Sequence, residues 1–131
     1  MRTGQWMGMM VLGLMATTAS AQSQHRLIVV VGLPNDPRAT QQHAALAHEA
    51  AALRERDVVV QDITPEAARR NRPELGVSSQ ATFEVLLVGK DGGVKLRRDK
   101  PVAVAEIAAL IDAMPMRRDE MRRQKSGASQ L

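Results

Sequence analysis

Imidazole both ligates metals and carries protons near neutral pH, so His25, His43 and His48 are the first residues to test for chemistry. His43 and His48 stand five residues apart, which puts them roughly 140° apart around a helix. A chelating pair on one helix face needs a separation of four, and His48-Glu49 does not continue into an HExxH pattern. The histidines read as surface residues, and neither a metal nor another cofactor is expected. Nucleophile motifs are missing as well. No serine lies in a G-x-S-x-G context. Gly89-Lys90-Asp91-Gly92-Gly93 looks like a phosphate loop, but it falls in a hairpin turn instead of a strand-to-helix junction. The chain has no cysteine, which excludes a thiolate nucleophile, a disulfide, a zinc-thiolate centre and a lipid anchor on cysteine.

The remaining candidates are charged. Asp36 followed by Pro37 reads as a helix start: an acid that caps, then a residue already fixed at helical φ. Arg38 pairs with that acid or faces a partner. An anion is a poor guest there, because Pro37 offers no N–H and the Asp36 carboxylate repels negative charge. Farther along, Arg97, Arg98, Arg117, Arg118, Arg122 and Arg123, with Lys95, Lys100 and Lys125, gather positive charge. That set reads either as a patch for an anionic component of the cell envelope or as a solvated face. No nucleic-acid partner is expected, because single-strand binding needs stacking aromatics and aromatics make up 2% of the chain. Met114, Met116 and Met121 form either an adaptable partner surface or a core residue with two covering neighbours.

These side chains need a scaffold. A chain of 131 residues that is 44% hydrophobic suits one small domain with an aliphatic core. Residues 1–21 read as a signal peptide: Arg2, a short apolar run from Trp6 to Met15, then Ala19-Ser20-Ala21 as a cleavage site. The run is about half the ~20 residues that a spanning helix needs. The alternative is an uncleaved anchor. After cleavage no transmembrane span is expected, and Phe83 is the one aromatic left.

The rest divides into a domain over residues 22–116 and a basic, partly disordered extension over 117–131. "RLIVVVG" is a continuous apolar run, as in a strand buried on both faces. The spacing of Leu46, Ala50 and Leu53 predicts a helix from about Pro37 to Arg56. "DVVVQDI" reads as a second strand, and Thr64-Pro65 caps a short helix that Gly76 closes. Val85–Val88 and Val94–Arg97 read as a hairpin around Asp91-Gly92-Gly93, with at least one glycine at positive φ. Pro101 opens a last helix with a stripe of Val104, Ile107, Ala108, Leu110, Ile111 and Met114. The order strand, helix, strand, helix, strand, strand, helix combines a right-handed parallel βαβ unit with an antiparallel hairpin. It predicts an α/β fold: a mixed four-stranded sheet in a thioredoxin-like α/β/α sandwich.

"VLLVGKDGGVKLR" followed by "EIAALIDAMPMRRDEM", with "HRLIVVVGLPNDPR" and "LRERDVVV" nearer the start, resembles domain of unknown function 4174. That family comprises thioredoxin-like domains found as small secreted bacterial proteins and as modules of animal extracellular proteins. The resemblance spans about His25 to Arg123. It implies kinship with peroxiredoxins and disulfide oxidoreductases and carries over no specific activity. Such a fold places its reactive cysteines where the first strand meets the first helix, here "GLPNDPR", which has no sulfur. The cis-proline expected before the third strand is missing too, since that loop reads "SSQATF". Asn35, Asp36, Arg38 and Thr82 then form the candidate partner surface. The expected function is that of an exported, periplasmic or secreted, cysteine-free binding or accessory module. Its partner would be a protein or an anionic envelope component. A peroxiredoxin-related oxidoreductase and a structural envelope protein are the alternatives.

Overall fold

The structure, a computed structural model, describes residues 23–129. The expected signal peptide at 1–21 and the last two residues of the extension lie outside the described residues.

Four strands form one sheet in the order β2-β1-β3-β4. They are β1 (Arg26–Val31), β2 (Val58–Ile63), β3 (Glu84–Val88) and β4 (Val94–Arg98). β1 runs parallel to β2 and antiparallel to β3, and β3 and β4 form the antiparallel hairpin. The two central strands are β1 and β3, and alternation along them feeds two cores. Ile28, Val30, Val85 and Leu87 pack with Phe83 and the helices α1 (Pro37–His48), α2 (Ala50–Glu55) and α4 (Val104–Asp112). Val29, Val31, Leu86 and Val88 face α3 (Pro65–Asn71) and a 3-10 turn (Pro73–Leu75) through Ala68 and Leu75. Helices thus cover both faces, and the architecture is the thioredoxin-like sandwich that the element order predicts.

The hairpin turn closes with Gly92 N–H donating to Gly89 O at 2.9 Å and Gly89 N–H to Gly93 O at 2.9 Å. Gly92 has φ +84°, where a side chain clashes with its own backbone.

Three expectations need correction. The helix expected from Pro37 to Arg56 is two helices, because Glu49 leaves helical geometry (φ −111°, ψ 31°) and its N–H turns to Leu46 O at 3.2 Å. Pro101 does not open the last core helix. Gln42, fully buried on α1, clasps the Val102 backbone: its Nε2 donates to Val102 O at 3.1 Å, and Val102 N–H donates to its Oε1 at 2.7 Å. That clasp holds the chain extended until Val104. β2 forms as expected and is an edge strand, with Val59 and Val60 exposed. Finally, residue 117 does not begin a separate extension. A last helix, α5 (Pro115–Ser129), crosses that boundary and inserts Arg117, 1% exposed, into the domain.

Candidate functional site

The junction of β1 and α1 is built around close approach. A Cβ on Gly32 would lie 3.1 Å from Phe83 Cδ1, so a side chain there would press on the ring. Beyond it, Leu33 is 53% exposed and Asn35 is exposed. Asp36 caps α1 as predicted: its Oδ1 accepts from Arg38 N–H at 2.8 Å. The Arg38 side chain closes on the same carboxylate, Nε to Oδ1 at 3.0 Å and Nη2 to Oδ2 at 2.7 Å. Nη2 also donates to Thr82 Oγ1 at 3.2 Å, and the guanidinium lies 5.0 Å from the centre of the Phe83 ring. The hydrogen bonds from the Arg38 side chain and then its backbone hold Asp36 below the usual carboxylate range. The same side-chain bond raises Arg38. Asp36, Arg38 and Thr82 therefore meet in one place, with Asn35 on the adjoining turn. A carboxylate so engaged is a weak base and a poor metal ligand.

Beside this junction a cleft of about 490 Å³ opens between α1, α3 and the ends of β1 and β2. Leu33, Pro34, Ala39, Ile63 and Ala67 make most of its wall apolar. At its rim His43 Nε2 lies 2.5 Å from Asp62 Oδ1, joining α1 to β2. On the far side of His43 a second apolar hollow of about 380 Å³ continues along β2, past Leu46, Ala50, Val58 and Val60. The sequence reading left His43 as an ordinary surface residue. Its partner lies across the parallel strand pair, a contact that helical spacing cannot reveal. His48 contacts Glu49 at 3.3 Å on the exposed surface, and His25 is exposed. Among the described residues no three His, Asp or Glu side chains converge.

The basic set does not form one patch. Arg97 on β4 donates to Glu84 Oε1 at 2.8 Å and to Leu75 O at 2.5 Å, and Arg98 donates to Glu106 Oε2 at 2.8 Å. Arg117 is buried, reaching Asp112 Oδ1 at 3.2 Å and Glu55 Oε2 at 3.3 Å. Arg118, Arg122 and Arg123 are exposed on α5, with Arg122 paired to Asp119. What the spacing missed is a buried ionic cluster around Glu120, which accepts from Arg26 at 3.2 Å and Lys90 at 2.7 Å. Burial pushes Lys90 down, but hydrogen bonds to Glu120 and Asp57 outweigh it and raise the amine above its ordinary value.

A four-stranded sheet in this order, helices on both faces and a capped strand-to-helix junction define a thioredoxin-like domain, here without thiols. The crystal structure of Trxlp from Edwardsiella tarda EIB202 shares the fold, with a TM-score of 0.51 and 17% identity over 70% of this chain and 85% of that one. The model of the domain of unknown function DUF4174 matches residues 17–120, and the chain belongs to that family. No curated protein matches the chain.

Proposed function

We propose that the protein is an exported, thiol-independent binding module that holds an apolar segment of a partner protein in the cleft beside the β1–α1 junction. The observation that carries this reading is the pairing of an open apolar cleft of about 490 Å³ with an exposed Leu33 at its mouth. Cavities of this size with apolar walls and a few polar groups are the usual form of a ligand site. The polar groups that line it are few and already engaged, His43 with Asp62 and Thr64 with the Ala67 N–H, so shape and apolar contact select the guest. The chain has no cysteine, so a thiol cycle is impossible for it. Export is supported by Arg2, the apolar run and Ala19-Ser20-Ala21.

A photo-crosslinking residue placed at Leu33 in the native host should trap a discrete partner, and one at exposed Arg70 should not. Equal labelling at both positions, or none at Leu33, overturns the reading. Mass spectrometry of the native protein should find an N-terminus at Gln22, and an intact Met1 in the cytosol overturns export.

A further inference from the structure

β2 carries an unsatisfied edge whose geometry specifies a partner. Arg26 N–H donates to Asp57 O at 2.8 Å, and Gly32 N–H donates to Ile63 O at 3.0 Å. The odd-numbered residues of this stretch therefore bond inward to β1. By strand alternation, the N–H and C=O groups of Val58, Val60 and Asp62 point away from the sheet. Protein edges are normally blunted by charge, proline or a bulge. The opposite edge obeys: β4 carries Lys95, Arg97 and Arg98, and its pairing with β3 has a bulge at Leu87/Val88. β2 opens instead with three valines, and Val59 and Val60 are 40% and 38% exposed.

We propose that β2 pairs antiparallel with β2 of a second copy of this chain, across a twofold axis at Val60, giving one continuous sheet through both copies. Outward backbone groups recur at every second residue, so an antiparallel partner must set even-numbered residues opposite even-numbered ones. Centring on Val60 uses all the outward residues of the strand. Val58 faces the partner's Asp62, Val60 faces the partner's Val60, and each such pair exchanges both backbone bonds.

Charge argues for a second copy over a foreign strand. Cross-strand partners share a sheet face. Val58, Val60 and Arg54 line the same hollow. In this register the Asp62 of one copy comes beside Val58, and so beside Arg54, of the other. Among the described residues Arg54 makes no ion pair, and the His43 contact engages Oδ1 of Asp62 alone. The twofold axis makes this contact twice, as an isologous interface requires. The inference shares Asp62 with the cleft rim but does not rest on what the cleft binds.

The test is analytical ultracentrifugation of the full chain at roughly 100 µM, above the micromolar Kd of a modest interface. A dimer is expected. Val60→Lys, which puts the missing blunting charge on the edge, should give a folded monomer whose melting temperature matches that of the wild type diluted below its dimer Kd. Arg54→Asp should raise the dimer Kd about tenfold, because both symmetry-related contacts become repulsive. Arg54→Asp combined with Asp62→Arg should restore it to within about threefold. A monomeric wild type overturns the proposal, as does a dimer that Val60→Lys leaves intact. A monomer whose β2 amides resist hydrogen exchange also overturns it, and would mean that another segment covers the edge.

Discussion

Glu120 is where the structure places its heaviest electrostatic demand. Its carboxylate takes Arg26 at both oxygens, 3.3 Å and 3.2 Å, and Lys90 at 2.7 Å, and it lies 3.6 Å from Arg117. The side chains of Arg26 and Arg117 are each 1% exposed. Burial pushes the Glu120 carboxyl up, yet the hydrogen bonds from Lys90 and Arg26 outweigh it and hold the group below its ordinary 4.5. Glu120→Ala leaves three cations facing an empty site. Breaking a buried ion pair costs about 3–5 kcal/mol. Each cation keeps another acceptor, Arg26 the Arg56 carbonyl at 2.8 Å, Lys90 the Asp57 carboxylate and Arg117 the Asp112 carboxylate. The loss should therefore fall at the lower end, about 3 kcal/mol, which lowers the melting temperature of a domain this size by roughly 12–24 °C. Glu120→Gln keeps the shape and one acceptor and should lose about half as much. Urea unfolding followed by far-UV circular dichroism measures both, and the loss should persist in high salt, because buried pairs are weakly screened. A loss under about 1 kcal/mol for Glu120→Ala would refute the docking of α5 and the membership of residues 117–120 in the domain.

Three further outcomes are expected. Glu120 and Asp112 are held below their ordinary values, so their stabilisation is present above those values and is lost as pH falls through the folded ones; Lys90 is raised, so its share is present below 10.5 and is lost as pH rises through its folded value. The melting temperature should thus stay level between roughly pH 5 and pH 10, and Glu120→Ala should flatten the acid side. Gly92→Val should cost about 1 kcal/mol or more, because Gly92 sits at φ +84°, whereas Gly93→Val should cost far less; the reverse order in thermal melts refutes the turn. A thiol at Asn35→Cys should titrate near the free value of about 8.5, because the Asp36 carboxylate occupies the end of α1, and adding Asp36→Asn should lower it; iodoacetamide rates against pH read both.

The fold was legible where local signals and the global pattern agree. Asp36-Pro37 and Thr64-Pro65 both cap helices by side-chain bonds to the backbone, as their types demand. Val104, Ile107 and Ile111 all enter the core, as the helical stripe indicates. Legibility ended where a contact spans distant segments. Nothing local marks Gln42 as the residue that clasps Val102, sixty positions away. Nor does anything local mark Glu120 as the hub for Arg26, ninety-four away. The arginines show the same limit in reverse. As a linear run they read as one solvated set, but the α5 helix turns Arg117 inward and Arg118 outward. Of the candidate site, Asp36, Arg38 and Thr82 were placed together because the fold brings the start of α1 beside the loop before β3. The apolar cleft next to them was not visible, because its walls come from four separate elements.

The β1–α1 junction of this thioredoxin-like fold carries no thiol and is built from other chemistry. A helix N-terminus stabilises whatever negative charge lies on it. Here that charge is the Asp36 carboxylate, and Arg38 neutralises it through two side-chain bonds while lying against Phe83. Asp36, Arg38 and Thr82 are thus bonded to one another. The free surface at the same place is apolar: Leu33 outside, Pro34 and Ala39 along the wall, Ile63 and Ala67 opposite. A self-paired ionic group with an open apolar cleft beside it fits the proposed recognition by burial of apolar surface, which needs no reactive atom.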